Sequence, residues 1–221
     1  MTDSTHADPA TPPVKWSSII VSAYLPTLMS SLGYGAVIPL IPLTAVHIGA
    51  SAALAAAIAA LVGIGQIIGD VPAGWLVTKI GEKWSLVIAM LIDAVALVSM
   101  GLVHHLGLLA VAVFVNGMAG AVYGIARQNY LTVAIPYRYR ARALSTLGGV
   151  FRVGWFVGPM AGSWILREAS MSWAYGFASV ASVLAAAVTT VMPDLPPVDV
   201  PQTAVDDAPC LLYTSPSPRD Q

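Results

Sequence analysis

Charged residues are scarce in this sequence: they make up 10% of its 221 residues, against roughly 25% in an average soluble domain. Hydrophobic residues reach 57%, and the mean hydropathy is +0.77. One globular core of this size cannot bury so much apolar surface, so a soluble domain is excluded and lipid must be the solvent. The net charge of −1 is uninformative about nucleic acid, but basic residues do not cluster outside one loop, so we expect no nucleic acid partner.

Cysteine is nearly absent, and recognisable catalytic patterns are absent altogether. The single Cys210 excludes a disulfide, and its segment, residues 210–221, resembles a translated sequencing adaptor, so we set it aside as an artefact. We therefore expect the natural protein to continue past Pro209. The spans contain no H-E-x-x-H, G-x-S-x-G or paired-Asp motif. His47, His104 and His105 stand at predicted turns, where solvated side chains are the rule. We expect no enzyme, no cofactor and no metal site.

Six stretches are apolar and long enough to cross a bilayer, whose core of about 30 Å takes about 20 helical residues. Such continuous runs exclude a transmembrane barrel, whose strands alternate over about ten residues, and only helices satisfy their backbone within lipid. The sequence predicts an all-α membrane protein with one transmembrane domain over residues 16–192 and a connector at 136–142. The predicted spans are residues 16–45, 52–78, 84–103, 106–135, 143–166 and 172–192.

The cations between the spans predict the orientation. One side of the topology holds Lys15, Lys79, Lys83, Arg138, Arg140 and Arg142. The other side holds Arg167 alone. Because cytoplasmic loops are rich in Lys and Arg, we expect a multi-pass protein of the cell inner (plasma) membrane with both termini of this chain in the cytoplasm. Residues 1–15, polar and rich in proline, then form a disordered cytoplasmic leader, and residues 193–209 begin a cytoplasmic linker.

A short pattern recurs in the second and fifth spans. Residues 69–75 read GDVPAGW, and residues 158–164 read GPMAGSW. The two spans cross the membrane in opposite directions, so a shared pattern is what two inverted three-helix repeats would leave in the sequence. The alternative is chance likeness, since glycine-rich helices often look alike.

The turn between the second and third spans carries a family signature. Residues 69–83 read GDVPAGWLVTKIGEK, which resembles the loop pattern G-x-L-x-D-R-x-G-R-K of the major facilitator superfamily. Thr78 and Glu82 depart from that pattern. The resemblance implies a cytoplasmic gate in this loop, while determinants of topology alone are the plainer interpretation. The matching positions implied in the gate are Gly74, Lys79, Gly81 and Lys83, together with Leu76.

The fifth span carries a second resemblance, to the G-x-x-x-G-P-x-x-G element of antiporters in the same superfamily. The matching residues are Gly154, Gly158, Pro159 and Gly162. The resemblance implies a hinge in this helix and export as the direction of transport; tight helix packing is the simpler interpretation. In the fourth span, residues 116–120 stand where the family often shows R-x-x-Q-G, so the arginine tied to proton coupling is absent.

Four ionisable residues lie inside the predicted spans: Asp70, Asp93, Arg127 and Arg152. Each is nine positions from its predicted basic loop, or about 14 Å deep at the helical rise. A charge at such depth costs about 2.5–3.5 kcal/mol on insertion scales. We therefore expect all four to face inward and to pair, Asp70 with Arg152 and Asp93 with Arg127 or the exchanged pairs. The network is either static packing, or it breaks during transport or takes up a proton at an Asp.

Uncharged polar and aromatic residues of the spans are weaker candidates. Gln66 and Asn116 must find hydrogen-bond partners, most simply on a neighbouring helix. In one interpretation a cavity is lined by Tyr34, Tyr123, Asn129 and Trp155; in the commoner one the aromatic residues are packing or interface anchors.

Together these features resemble the N-terminal six-helix half of a major facilitator superfamily secondary transporter. The resemblance implies alternating access and export of small organic or drug-like molecules. The implied partners are a small-molecule substrate, the lipid bilayer, the missing C-terminal six-helix half and protons. The alternatives are an importer or symporter of a small metabolite, and a self-contained six-helix channel or scaffold. The residues implied to face substrate are Tyr34, Gly35, Pro39, Asn116, Gly120 and Tyr123.

Overall fold

The computed structural model of the protein describes residues 23–135 and 137–191. These residues form helices and no strand. The helices make up six spans, as the sequence predicts. The leader, the linker and the adaptor-like tail lie outside the described residues. The first span, Leu25–His47, consists of two helices, and each later span is one helix. The helices are Leu25–Val37, Leu40–His47, Ala52–Ile80, Glu82–Leu102, Leu106–Ala134, Tyr137–Glu168 and Met171–Thr190.

The fifth span corrects one expectation. A connector was expected over residues 136–142, but the structure has a helix from Tyr137. The residues after Pro136 contain no helix breaker, and Arg140 Nε donates to the carbonyl of Ile135 at 3.1 Å. Five of the six described spans are long and apolar enough to cross a membrane. The fifth is not among the five, because its arginines and glycines lower its hydropathy.

Proline and glycine decide where helices break. The first span is interrupted after Val37 and resumes at Leu40, with Pro39 as the N-cap, because proline has no N–H to continue the helix. Pro72 and Pro159 sit within continuous helices instead. The second and third spans are separated by Gly81 alone, whose φ is +81°. Glycine adopts that left-handed conformation without strain.

Small residues bring the second span against the fourth. A methyl group at Gly65 would collide with the carbonyl of Phe114, and one at Gly69 would lie 2.9 Å from the Cα of Met118. On the fourth span, Gly117 makes the matching contact, because a methyl group there would collide with the backbone of Val62. The helices therefore touch backbone to backbone, the close approach that small residues allow in lipid.

The fifth span meets the first in the same way. A methyl group at Gly154 would collide with Ser31 and lie 3.1 Å from the carbonyl oxygen of Leu28, and one at Gly158 would lie 2.5 Å from the carbonyl oxygen of Leu32. A methyl group at Gly162 would lie 2.9 Å from the carbonyl oxygen of Ala36. In this structure these glycines pack against a neighbouring helix, as the simpler interpretation of the motif holds; their part in a hinge stays a prediction.

The two glycine contacts are copies of one another. Gly65 and Gly154 differ by 89 positions, as do Gly69 and Gly158, and their targets Phe114 and Leu28 differ by 86, as do Met118 and Leu32. The third and sixth spans pack on each other, and the third packs on the fourth as the sixth packs on the first. Exchanging spans one to three with spans four to six thus reproduces the contacts, as two inverted three-helix repeats require.

Candidate functional site

A cavity of about 640 Å³ opens between the first five spans. Its volume falls within the range of pockets that hold drug-sized ligands, and its mixture of aromatic, polar and charged side chains is typical of such sites. The polar, aromatic and charged residues that line it are Ser30, Tyr34, Gln66, Asp93, Asn116, Tyr123, Arg127, Phe151, Arg152 and Trp155, with Gly120, Gly124 and Gly148 between them.

Asp93 of the third span lies at one level of this cavity with both carboxylate oxygens engaged. Asn116 Nδ2 donates to Oδ1 at 2.5 Å, and Ser182 Oγ donates to Oδ2 at 2.7 Å. Asn116 is only 4% exposed and Ser182 is buried. Hydrogen bonds to a charged acceptor are stronger than neutral ones, so among the described residues this acid is held by neutral donors on the fourth and sixth spans.

Arg127 of the fourth span is held differently. Its guanidinium carbon lies 5.3 Å from the centre of the Tyr123 ring and 5.0 Å from that of Phe151. Such cation–π contacts stabilise a desolvated cation by about 0.5–2 kcal/mol. Its Nε and Nη1 atoms are buried and have no hydrogen-bond partner among the described residues. The rings therefore accommodate the charge, while the three N–H bonds of these two nitrogens have no acceptor among the described residues.

The expected pairing of the four charges is wrong for this structure. No ion pair joins them among residues 23–135 and 137–191, because Asp93 is bonded to Asn116 and Ser182. Asn116 precedes Arg127 by eleven residues on one helix, or about 16 Å of helical rise. Counting from the loops did not reveal this separation, since neighbouring helices begin at different heights.

The four charges also do not all face inward. Arg152 is exposed and lines the cavity together with Asp93 and Arg127. Asp70 is exposed and does not line it. It lies instead on the face of the second span that presents Val71, which is 82% exposed. The cavity thus contains two arginines and one engaged carboxylate rather than a neutral set.

The residues expected to face substrate divide into two groups. Tyr34, Asn116, Gly120 and Tyr123 line the cavity, and Gln66 Nε2 donates to the hydroxyl of Tyr34 at 3.3 Å. The expected partners of Gln66 and Asn116 on neighbouring helices are thereby confirmed.

Gly35 and Pro39 do not line the cavity. A methyl group at Gly35 would lie 2.7 Å from the carbonyl oxygen of Trp155, so this glycine is used for contact with the fifth span. Pro39 is exposed at the break in the first span. The expectation that these two residues face substrate is not met in this structure.

The residues of the expected gate lie at the end of the bundle where the second span gives way to the third. Lys79 Nζ lies 5.3 Å from the ring centre of Trp75, one turn earlier on the same helix. Gly81 forms the turn itself. Gly74 has open space where a side chain would be, and Lys83 opens the third span. Their role as a gate stays a prediction.

Sequence reasoning missed Phe151 and Ser182. Each is an ordinary residue in an apolar helix, and only the contact with Arg127 or Asp93 gives it a role. Phe151 had one signal, since it precedes Arg152 on a span that was expected to carry an inward charge. Ser182 had none.

A bundle of paired helices with inverted repeats, enclosing a polar cavity, is the architecture of a secondary transporter. The profile described as Major Facilitator Superfamily matches residues 23–217. The chain belongs to this superfamily and is a multi-pass membrane protein. A family of transporters is consistent with the expectation that the protein is not an enzyme.

Three curated relatives extend the comparison. Two proteins of Mycobacterium tuberculosis, each named an uncharacterized MFS-type transporter, are 25% identical to the chain over 167 residues, covering 76% of this chain and 24% of their own. The class H tetracycline resistance protein of Pasteurella multocida is 28% identical over 171 residues, covering 73% of this chain and 40% of its own. The chain thus spans well under half the length of the curated relatives it matches.

Proposed function

We propose that the protein exports small organic, drug-like molecules across the plasma membrane by alternating access. The observation that carries this proposal is the cavity of about 640 Å³ within membrane-crossing helices, with aromatic walls and three charged side chains. The glycine–proline element of the fifth span and the likeness to a tetracycline resistance protein support export. The rest of a typical family member would supply the opposite wall of the cavity.

Transport is tested with the complete gene product in inverted membrane vesicles, against vesicles from cells with an empty vector. Export predicts energised uptake of one or more members of a panel of aromatic drugs into the vesicles. Accumulation by whole cells instead would indicate the importer. Absence of any movement across the panel, with the protein present in the membrane, would refute transport of drug-like molecules.

We also propose that Asp93, rather than Asp70, couples transport to protons, because Asp93 lies in the cavity between two donors. Asp93→Asn keeps the shape and an oxygen that accepts a hydrogen bond. We expect it to abolish movement driven by a proton gradient while the amount of protein in the membrane stays unchanged. Asp70→Asn is the matched control. Equal loss in both variants would contradict the assignment.

The orientation has its own test. We propose that the end of the bundle with Lys79 and Lys83 is cytoplasmic, as are both termini of this chain. A membrane-impermeant maleimide applied to whole cells should then label His47→Cys and spare Glu82→Cys, with the unmodified protein as background. The reverse pattern would invert the topology and place the expected gate outside.

A further inference from the structure

The least satisfied group in the described part of the chain is the guanidinium of Arg127. Its Nε and Nη1 are buried without an acceptor, and unmade hydrogen bonds of a buried charged group are costly. The residue nevertheless lines the cavity rather than a sealed core. An unpaired buried donor beside a cavity indicates that something entering the cavity provides the acceptor.

The described residues offer no carboxylate for this purpose. They contain four acids, Asp70, Glu82, Asp93 and Glu168, and only Asp93 lines the cavity. Both oxygens of Asp93 already accept hydrogen bonds from other spans. Arg152 adds a second positive charge to the same cavity. The cavity therefore has an excess of positive charge that its own acid does not neutralise.

Arg127 lines the cavity, and its Nε and Nη1 are covered by the surrounding side chains, so an anion would reach these donors after a small shift of the side chains beside them. The guanidinium carbon lies 5.3 Å from the centre of the Tyr123 ring and 5.0 Å from that of Phe151, so aromatic rings rather than acids stand beside the charge. The N–H donors lie in the guanidinium plane, where they match the two oxygens of a carboxylate. Aromatic residues that line the same cavity, Tyr34 and Trp155, provide surfaces for an apolar ring.

Building on the proposed transport function, we infer that the substrate is an aromatic organic anion whose carboxylate binds Arg127. The aromatic body then lies against the ring-lined wall, and Arg152 adds electrostatic attraction at the mouth of the same cavity. Asp93 does not take part in binding the carboxylate of the substrate, since its own oxygens accept hydrogen bonds from Asn116 and Ser182. The rival explanation is a fixed pair between Arg127 and an acid outside residues 23–135 and 137–191.

The test uses three probes of one shape and different charge: 2-naphthoate, 2-naphthamide and 2-naphthylmethylammonium. Binding to the purified complete gene product is measured by equilibrium dialysis, and flux is measured in inverted vesicles. Because hydrogen bonds to charged groups are worth more than neutral ones, we expect naphthoate to bind roughly 10- to 100-fold more tightly than naphthamide. The ammonium probe should bind weakest.

Substitutions locate the site. Arg127→Gln should reduce the affinity for naphthoate to that for naphthamide, while the affinity for naphthamide changes by less than about twofold. Arg127→Lys should fall between, because the charge is kept and the planar fork is lost. Arg152→Gln should weaken naphthoate binding to a smaller extent. Arg167→Gln, which removes an exposed arginine from the far end of the fifth span, is the matched control and should change nothing.

The outcomes separate this inference from the proposed function. Naphthoate that binds through Arg127 but is not moved upholds the anion site and refutes transport of this substrate. Movement of neutral or cationic drugs without naphthoate binding upholds export and overturns the anion site. If Arg127→Gln weakens all three probes equally or lowers the amount of folded protein while Arg127→Lys restores it, Arg127 serves a fixed acid and the inference is wrong.

Discussion

Asp93 and Arg127 line one cavity, yet the fold treats the two charges in opposite ways. The carboxylate has a hydrogen-bond donor for each oxygen, contributed by the fourth and sixth spans. The guanidinium has aromatic rings beside it, and two of its nitrogens, Nε and Nη1, have no acceptor among the described residues. The fold supplies both hydrogen-bond partners of the carboxylate, whereas the guanidinium still needs an acceptor from a ligand. Substitutions around Asp93 therefore test the stability of the fold, and substitutions around Arg127 also test the binding of an anion.

The largest effect is expected from Asn116→Leu. This change leaves the half-buried Asp93 carboxylate with one donor, and loss of a hydrogen-bond partner by a charged group costs up to about 3 kcal/mol of unfolding free energy. Thermal unfolding in detergent measures it, with Asn129→Leu at an exposed position of the same helix as the control. Similar melting temperatures for the two variants would show that Asp93 does not depend on Asn116.

Ser182→Ala should come next. It removes the second donor to Asp93 without adding bulk, and a hydrogen bond to a charged group contributes about 1.5–3 kcal/mol. We expect a value at the lower end, because Asn116 remains. Ser163→Ala, an exposed serine that bonds only to its own helix, is the comparison. A larger effect than that of Asn116→Leu would reverse the ranking of the two donors.

Phe151→Leu addresses the other site. Losing one ring beside Arg127 should cost about 1 kcal/mol in stability and weaken naphthoate binding, since the guanidinium is no longer held in place. Phe156→Leu, at a position that is 75% exposed, controls for the general loss of an aromatic residue. Tighter naphthoate binding in Phe151→Leu would indicate that the Phe151 ring blocks the anion instead of orienting the guanidinium of Arg127.

Asp70→Asn should have the smallest effect on stability. Asp70 is exposed, and a substitution away from specific contacts usually stays within about 0.5 kcal/mol. Melting of the complete gene product measures it beside Asp93→Asn. A loss larger than that of Asp93→Asn would reveal that a part of the protein outside residues 23–135 and 137–191 engages this acid.

Helix number and the side chains of the cavity were largely accessible from sequence. Apolar runs bounded by short polar turns predict six spans, and Gln66 and Asn116 were expected to bond across helices because lipid offers them no alternative. The true start of the fifth span was not predicted, since the segment with arginines after Pro136 was interpreted as a loop. In the structure these arginines belong to the helix, and Arg140 Nε donates to the carbonyl of Ile135.

The charge arrangement was the part that sequence could not give. Asp93 and Arg127 are each nine positions from a predicted loop, which predicts that they lie at the same depth. The relative heights of the third and fourth spans are set by helix packing, however, and the sequence does not show them. Opposite charges suggested ion pairs, whereas Asn116 and Ser182 provide the donors for Asp93. Hydroxyl and amide groups are common in membrane helices for packing reasons alone, so nothing in the pattern identifies those that serve an acid.

Paired glycines are 89 positions apart and the residues they contact are 86 apart. Each of these helix contacts can therefore be compared with its counterpart in the other three-helix repeat. Each substitution at one seam has a counterpart at the other: Gly65 with Gly154, or Gly69 with Gly158. If both copies still fit together by the same rule, then a bulky residue introduced into either copy should be corrected by the same kind of second-site change. Suppressor genetics would then reveal the same repeat that the helix contacts show.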